Sequence, residues 1–178
     1  MLYIMLSATP CGMGKMIRAT TAFPFNHVSL TMDSTYRRWY SFARHNKRAP
    51  LAGGFVVETP ERYAAIGDAL PIQLYHIPLS PTQASRVRRI LEKAEAHSDL
   101  LIYNSFGAAV SVMHFQLSLP GAYTCLDFAN YILETNCRSL RELSVHLQPW
   151  LHYSGDLFSL IPPGIADPDV FFEKWNAL

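Results

Sequence analysis

The sequence lacks the features that define several large functional classes. It contains no apolar run near the roughly 20 residues that a transmembrane helix needs. Its N-terminus, MLYIMLSATP, has neither the positive charge nor the long apolar core of a secretory signal. The formal net charge is only +1, so no general attraction to nucleic acid or to anionic membranes is expected. We therefore predict a cytoplasmic protein with no nucleic-acid partner and no stable insertion in a membrane.

Cysteine is also scarce, and its arrangement excludes two kinds of site. The three cysteines, Cys11, Cys125 and Cys137, cannot all pair within one chain, and none belongs to a CxxC motif. This favours free thiols in a reducing compartment. None of the seven histidines stands at the spacing of a zinc motif. We expect no metal ion and no other cofactor.

One glycine-rich segment invites comparison with a phosphate-binding loop. TPCGMGK, residues 9–15, follows a predicted strand and precedes a predicted helix. A P-loop needs glycine five residues before its Gly-Lys pair and a serine or threonine after it. Those positions hold Thr9 and Met16 here, so the segment is predicted to be a turn into a helix and not a nucleotide site.

What the chain does have is the composition and patterning of one globular domain. Its 178 residues are 49% hydrophobic and 16% charged, and we predict a single domain over residues 1–178. Apolar or alternating segments predict strands at 2–7, 27–33, 37–44, 53–58 and 71–79. Helical spacing predicts helices at 12–22, 80–97, 102–113, 125–133, 139–147 and 167–175. Early strands and late helices indicate an α+β fold with a mostly antiparallel sheet.

Two residues stand where a nucleophile and its base would be useful. Cys125 follows a Pro-Gly break and opens the predicted helix CLDFANYIL. A helix N-terminus stabilises a thiolate, and the N–H of the cysteine itself can help to bind an oxyanion. His27 opens the alternating strand HVSLT on its polar face. There a sheet would hold the imidazole while it faces a cleft, so it should contribute little to packing.

The segments GKMIRATTAFPFNHVSLTMD and AYTCLDFANYIL together resemble a known group. They are similar to the histidine and cysteine regions of circularly permuted NlpC/P60-like proteins of the papain fold, the YiiX/YaeF-type group, in which the histidine precedes the cysteine. Lecithin:retinol acyltransferase-like enzymes share this order. The resemblance covers roughly residues 1–135 and implies a permuted papain-like fold. It also implies a catalytic pair formed by Cys125 and His27.

The same resemblance implies two further residues. Family members place a polar residue on the strand after the histidine strand, where it orients the imidazole, and Ser41 in WYSFA aligns with it. A serine supports an imidazolium less well than a carboxylate does. Glu58 in GGFVVE is an alternative that the alignment does not support. Tyr103 resembles the tyrosine near the family's oxyanion site, and a half-buried helical tyrosine is an equal reading.

These expectations define one main function and two alternatives. The main one is a cysteine hydrolase, of the thiol protease or amidase kind, that cleaves an amide or peptide bond in a small substrate through an acyl-enzyme. The first alternative is an acyltransferase or lipid esterase that uses the same pair on an acyl substrate. The second is a catalytically silent binding module, motivated by the weak serine at the third position.

Overall fold

The computed structural model describes residues 1–44, 53–98, 102–103 and 122–164. They form an α+β fold built on one sheet with the strand order β7-β6-β4-β3-β2-β1-β5-β8. The strands are β1 (Leu2–Ser7), β2 (His27–Thr31), β3 (Trp39–Arg44), β4 (Gly53–Glu58), β5 (Pro71–Ile77), β6 (Ile102–Tyr103), β7 (Ala122–Tyr123) and β8 (Leu151–Asp156). The helices are α1 (Gly12–Thr21), α2 (Pro60–Ala64), α3 (Pro81–Ala96), α4 (Cys125–Leu133), α5 (Leu140–Leu147) and α6 (Leu157–Leu160).

The sheet is mostly antiparallel, as the sequence predicts. The six strands from β4 to β8 in spatial order pair antiparallel with their neighbours. Among the strands of the described residues, only the two-residue strands β6 and β7 pair in parallel. Alternation along the strands divides the buried side chains between two clusters. One cluster includes residues of α3, α4 and α5, and the other includes residues of α2 and α6.

The helix that begins at Cys125 packs on the strand that begins at His27. Val28 and Leu30 of β2 are buried in the same cluster as Phe128 and Ile132 of α4, and Met32 packs against it half-buried. The alternation of β2 and the helical spacing of α4 predict this contact, and the prediction is confirmed. It brings the first turn of α4 to the end of the sheet at which β2 starts.

Some elements differ from the pattern-based predictions. Strand β8 and the short helices α2 and α6 were not predicted, and residues 102 and 103 are strand where a helix was predicted. The rest of the predicted helix 102–113 and the predicted terminal helix 167–175 lie outside the described residues. In the described part of the chain no helix is long and apolar enough to cross a membrane.

The segment TPCGMGK forms the turn that leads into α1, and it also supports the start of β2. Asn26, the residue before His27, donates from Nδ2 to Thr9 Oγ1 at 2.5 Å, and its N–H donates to the Ser7 carbonyl at 3.0 Å. The Arg18 guanidinium donates to the Thr9 carbonyl at 2.7 Å and also to the Asn26 side chain. Helix α1 therefore fixes the turn that precedes His27.

The turn before α1 leaves no space for a side chain at Gly14. A Cβ on Gly14 would lie 2.7 Å from both the Thr9 carbonyl oxygen and Asn26 Nδ2, whereas a Cβ on Gly12 would meet nothing within 4 Å. We expect Gly14→Ala to lower the free energy of unfolding by about 1–3 kcal/mol, because backbone must move. Gly12→Ala, the matched control, should raise it by up to about 1 kcal/mol through helix propensity. Urea denaturation measures both, and equal effects would contradict the packing described.

Candidate active site

Cys125 is the first residue of α4, and a capping box fixes the helix start around it. Thr124 is the N-cap: its Oγ1 accepts from the Asp127 N–H at 3.1 Å, and the Thr124 N–H donates to Asp127 Oδ2 at 2.8 Å. The N–H of Cys125 takes part in neither bond. The thiol is half-buried against the core cluster that contains Phe128. The cysteine thus stands at the positive end of a helix dipole.

His27 lies between Cys125 and a carboxylate. Its Nε2 is 3.1 Å from both carboxylate oxygens of Glu58, the last residue of β4. The Cys125 sulfur is close enough to the imidazole to interact with it electrostatically and to raise its pKa. Cys125 and His27, the pair that the sequence predicts, therefore lie near each other, and the Glu58 carboxylate contacts the imidazole.

The Glu58 carboxylate is deeply buried and is held by two hydroxyls. Only 3% of the residue is exposed. Ser29 Oγ donates to Glu58 Oε2 at 2.6 Å, and Tyr63 Oη donates to the same oxygen at 2.7 Å. Ser29 comes from the same strand as His27, and Tyr63 from the helix that follows Glu58 in the chain. Four side chains from β2, β4 and α2 thus form one connected buried network.

The charges of this network support each other. Burial alone would lower the pKa of His27, but the Glu58 carboxylate and the Cys125 sulfur together raise that pKa well above 6.5. Burial would raise the pKa of Glu58, but His27, then Arg62 and Ser29, lower it to about 2. Burial and the neighbouring Glu58 raise the pKa of Tyr63 well above 10, so its hydroxyl stays a donor. A raised pKa of His27 beside a lowered pKa of Glu58 favours the pair of imidazolium and carboxylate.

The arrangement places a thiol at a helix N-terminus near an imidazole that is bonded to a carboxylate. Comparisons of the chain with protein-family models, with curated proteins and with solved structures found no match. A functional assignment therefore depends on the geometry and chemistry of these side chains. Within the described ranges, no three His, Cys, Asp or Glu side chains are grouped as metal ligands would be.

The predicted role of Ser41 is corrected by the structure. Ser41 is fully buried on β3, opposite Val56 of β4, and its Oγ has no hydrogen-bond partner among the described residues. Nε2 of His27 is bonded to Glu58 instead, which lies one strand further from β2. A glutamate side chain is long enough to reach the imidazole from there. The side chain that bonds the imidazole is therefore Glu58, the alternative that the alignment did not support.

Ser41→Ala is a control variant for the site, because Ser41 does not bond the imidazole. Removing a buried hydroxyl with no bond to any described residue relieves a desolvation cost. We expect the free energy of unfolding to stay the same or to rise by up to about 1 kcal/mol, and Cys125 to keep its reactivity. Thermal unfolding and thiol alkylation check the two parts. A clear loss of reactivity would return Ser41 to the site.

The remaining predictions about the site have mixed outcomes. Tyr103 belongs to β6, whose neighbour β7 directly precedes the Cys125 helix, but its side chain lies outside the described part of the structure. His27 is buried, with only 8% of the residue exposed, so the expectation that it contributes little to packing is wrong. Ser29 and Tyr63 were not predicted. Ser29 had a signal, since it follows His27 on the polar face of an alternating strand.

Proposed function

We propose that this chain is a cysteine hydrolase that cleaves an amide or peptide bond in a small substrate. Cys125 is the nucleophile, His27 is the proton donor and acceptor, and Glu58 supports the imidazole. The single observation that carries the proposal is the position of the His27 imidazole, which lies 3.1 Å from the Glu58 carboxylate and close enough to the Cys125 sulfur for the two to interact electrostatically. Nucleophile, base and orienting acid are the three parts of an activated thiol site.

The charges of the site fit the chemistry of the reaction. The Cys125 sulfur attacks the substrate carbonyl carbon and forms a C–S bond, and the carbonyl oxygen becomes an oxyanion that the Cys125 N–H can face. The His27 imidazolium gives its proton to the leaving nitrogen as the C–N bond breaks. Water then attacks the thioester while neutral His27 takes its proton. The acid leaves, and the thiolate and imidazolium are restored.

We further propose that the fold is a permuted papain-like one. Three features support it: the histidine precedes the cysteine in the chain, the cysteine opens a helix, and that helix packs on the strand of the histidine. Because the chemistry depends on geometry and not on chain order, this order is compatible with an ordinary thiol hydrolase mechanism.

Selective alkylation tests the nucleophile. At pH 6 an ordinary thiol is almost entirely protonated, whereas a thiolate paired with an imidazolium reacts with iodoacetamide. We expect Cys125 to label at least about 10-fold faster than Cys11 or Cys137. Burial and Glu142 raise the pKa of Cys137, which makes it a slow internal reference. Peptide mapping after timed labelling gives the three rates. Similar rates at all three cysteines would overturn the proposal.

Hydrolysis and acyl transfer differ in the molecule that attacks the thioester, which is water in the first reaction and an alcohol or amine in the second. The same three side chains would serve an acyltransferase or lipid esterase, which differs in the acyl chain or in the molecule that attacks the thioester. With a small peptide thioester as acyl donor, we expect free acid as the main product, even when an alcohol or amine acceptor is added. Predominant transfer to the acceptor would favour the acyltransferase alternative. A binding module would give neither product, and the presence of Glu58 removes the weak third position that motivated it.

A further inference from the structure

The carboxylate behind His27 carries more hydrogen bonds than an ion pair with one imidazole requires. Ser29 Oγ and Tyr63 Oη both donate to Oε2 of Glu58, at 2.6 and 2.7 Å, and the two hydroxyl oxygens are 3.1 Å apart. Both carboxylate oxygens stay at 3.1 Å from His27 Nε2. The hydroxyls thus hold one oxygen in a fixed place while the carboxylate faces the ring symmetrically.

We infer that Ser29 and Tyr63 are positioning residues of the site, which hold the Glu58 carboxylate in the orientation that keeps His27 aimed at Cys125. This inference rests on the proposed function, since it assigns a role within the same site. Neither hydroxyl touches a reacting atom in this arrangement. Each acts through Glu58.

The geometry explains why Glu58 needs two further hydrogen bonds to hold it in place. Glu58 and His27 lie on β4 and β2, which are separated by β3 in the sheet, so the carboxylate is at the end of a long, rotatable side chain. A glutamate loses considerable rotamer freedom when it is fixed. Ser29 supplies a short, rigid donor from the strand of His27 itself. Tyr63 supplies a second donor from α2, and its ring is anchored in the cluster around Trp39.

The two donors also keep the acid charged. Hydrogen bonds to the ionised form of a carboxyl group favour that form, and the bond from Ser29 contributes to the low pKa of Glu58. Because Tyr63 keeps its own proton, it donates throughout the neutral range. A protonated Glu58 would no longer balance the charge of the imidazolium. The hydroxyls of Ser29 and Tyr63 therefore support the charge of His27 as well as the orientation of its ring.

Double-mutant cycles test this inference. The background is the full chain with Cys11→Ser and Cys137→Ser, which leaves Cys125 as the only thiol. Iodoacetamide alkylation at pH 6 gives the rate of Cys125. We expect Tyr63→Phe and Ser29→Ala each to slow labelling by about 10-fold. Ser29→Thr, which keeps a hydroxyl, should label at most of the original rate. Ser41→Ala removes a buried hydroxyl that does not bond Glu58 and should leave the rate unchanged.

The decisive comparison repeats Tyr63→Phe and Ser29→Ala in a Glu58→Gln chain. If the hydroxyls act through the carboxylate, they have no further effect there. Equal slowing in the chain with native Glu58 and in the Glu58→Gln chain would show a general loss of structure and would overturn the inference. Unchanged labelling rates in the chain with native Glu58 would also overturn it. Failure of the proposed function would give a different result. Cys125 would then label slowly in the unsubstituted chain, and His27→Gln would not change its labelling rate.

Discussion

Replacing His27 by glutamine should slow acylation of Cys125 by a p-nitrophenyl ester about 10³-fold. The substitution removes the cation that stabilises the thiolate and the group that exchanges protons with the substrate. Glutamine is preferable to alanine here. Its amide can donate to Glu58, whereas alanine would leave a buried carboxylate without its main partner, and breaking a buried pair costs about 3–5 kcal/mol.

The same variant should change how alkylation depends on pH. With His27 present, we expect labelling of Cys125 to depend on the imidazole, which exchanges protons with the thiol. With glutamine there, labelling should need a higher pH. The matched control is His146→Gln, which changes an exposed histidine on α5 and should alter neither measurement. If His27→Gln reacts like the unsubstituted protein, His27 does not activate the thiol.

Replacing Glu58 should have the largest effect on stability. We expect Glu58→Ala to lower the free energy of unfolding by about 3–5 kcal/mol, since it leaves His27 buried with no counter-charge. Glu58→Gln should cost less, because the amide can still bond with its neighbours. Urea denaturation at pH 5.5 measures both. Glu61→Gln, on the adjoining helix and partly exposed, is a control that should change stability by under about 1 kcal/mol.

The cost of losing Glu58 should depend on pH with a definite sign. The pKa of Glu58 is lowered from 4.5 to about 2, so its contribution is complete above pH 4.5 and is lost as pH falls toward 2. The pKa of His27 is raised above 6.5, so its contribution is complete below pH 6.5 and is lost as pH rises through the raised pKa. The difference between the unsubstituted protein and Glu58→Gln should therefore be greatest between pH 4.5 and 6.5. A difference independent of pH would mean that the pair is not ionised.

The spacing of apolar residues in the sequence predicted the strands and helices that bury one face. The alternation of HVSLT and the helical spacing of CLDFANYIL were sufficient to predict β2, α4 and their contact. Strand β8 was missed because it lies at the edge of the sheet, and its sequence LHYSGD is largely exposed and has no apolar alternation. Helix α2 was missed because five residues are too few for a helical period to show.

The candidate site was predictable only in part, and for a similar reason. Cys125 and His27 each stand at the start of an element, where local sequence carries a signal. Glu58 reaches His27 across an intervening strand, and that depends on how β2, β3 and β4 assemble. Sequence alignment with a family pattern put the third residue on β3 and so chose Ser41. One clue was available: Glu58 is an acid directly after the apolar residues FVV of a strand, and a buried acid needs a partner.

The most direct test of the central claim is to trap the acyl-enzyme. The protein is mixed with an excess of an activated acyl ester, quenched in acid within the first turnover, and digested for mass spectrometry. We predict one acyl group on the peptide that contains Cys125, none on the peptides of Cys11 and Cys137, and loss of the adduct in His27→Gln. No adduct at Cys125, or acylation spread over all three cysteines and unaffected by His27→Gln, would contradict the claim that Cys125 is a nucleophile activated by His27.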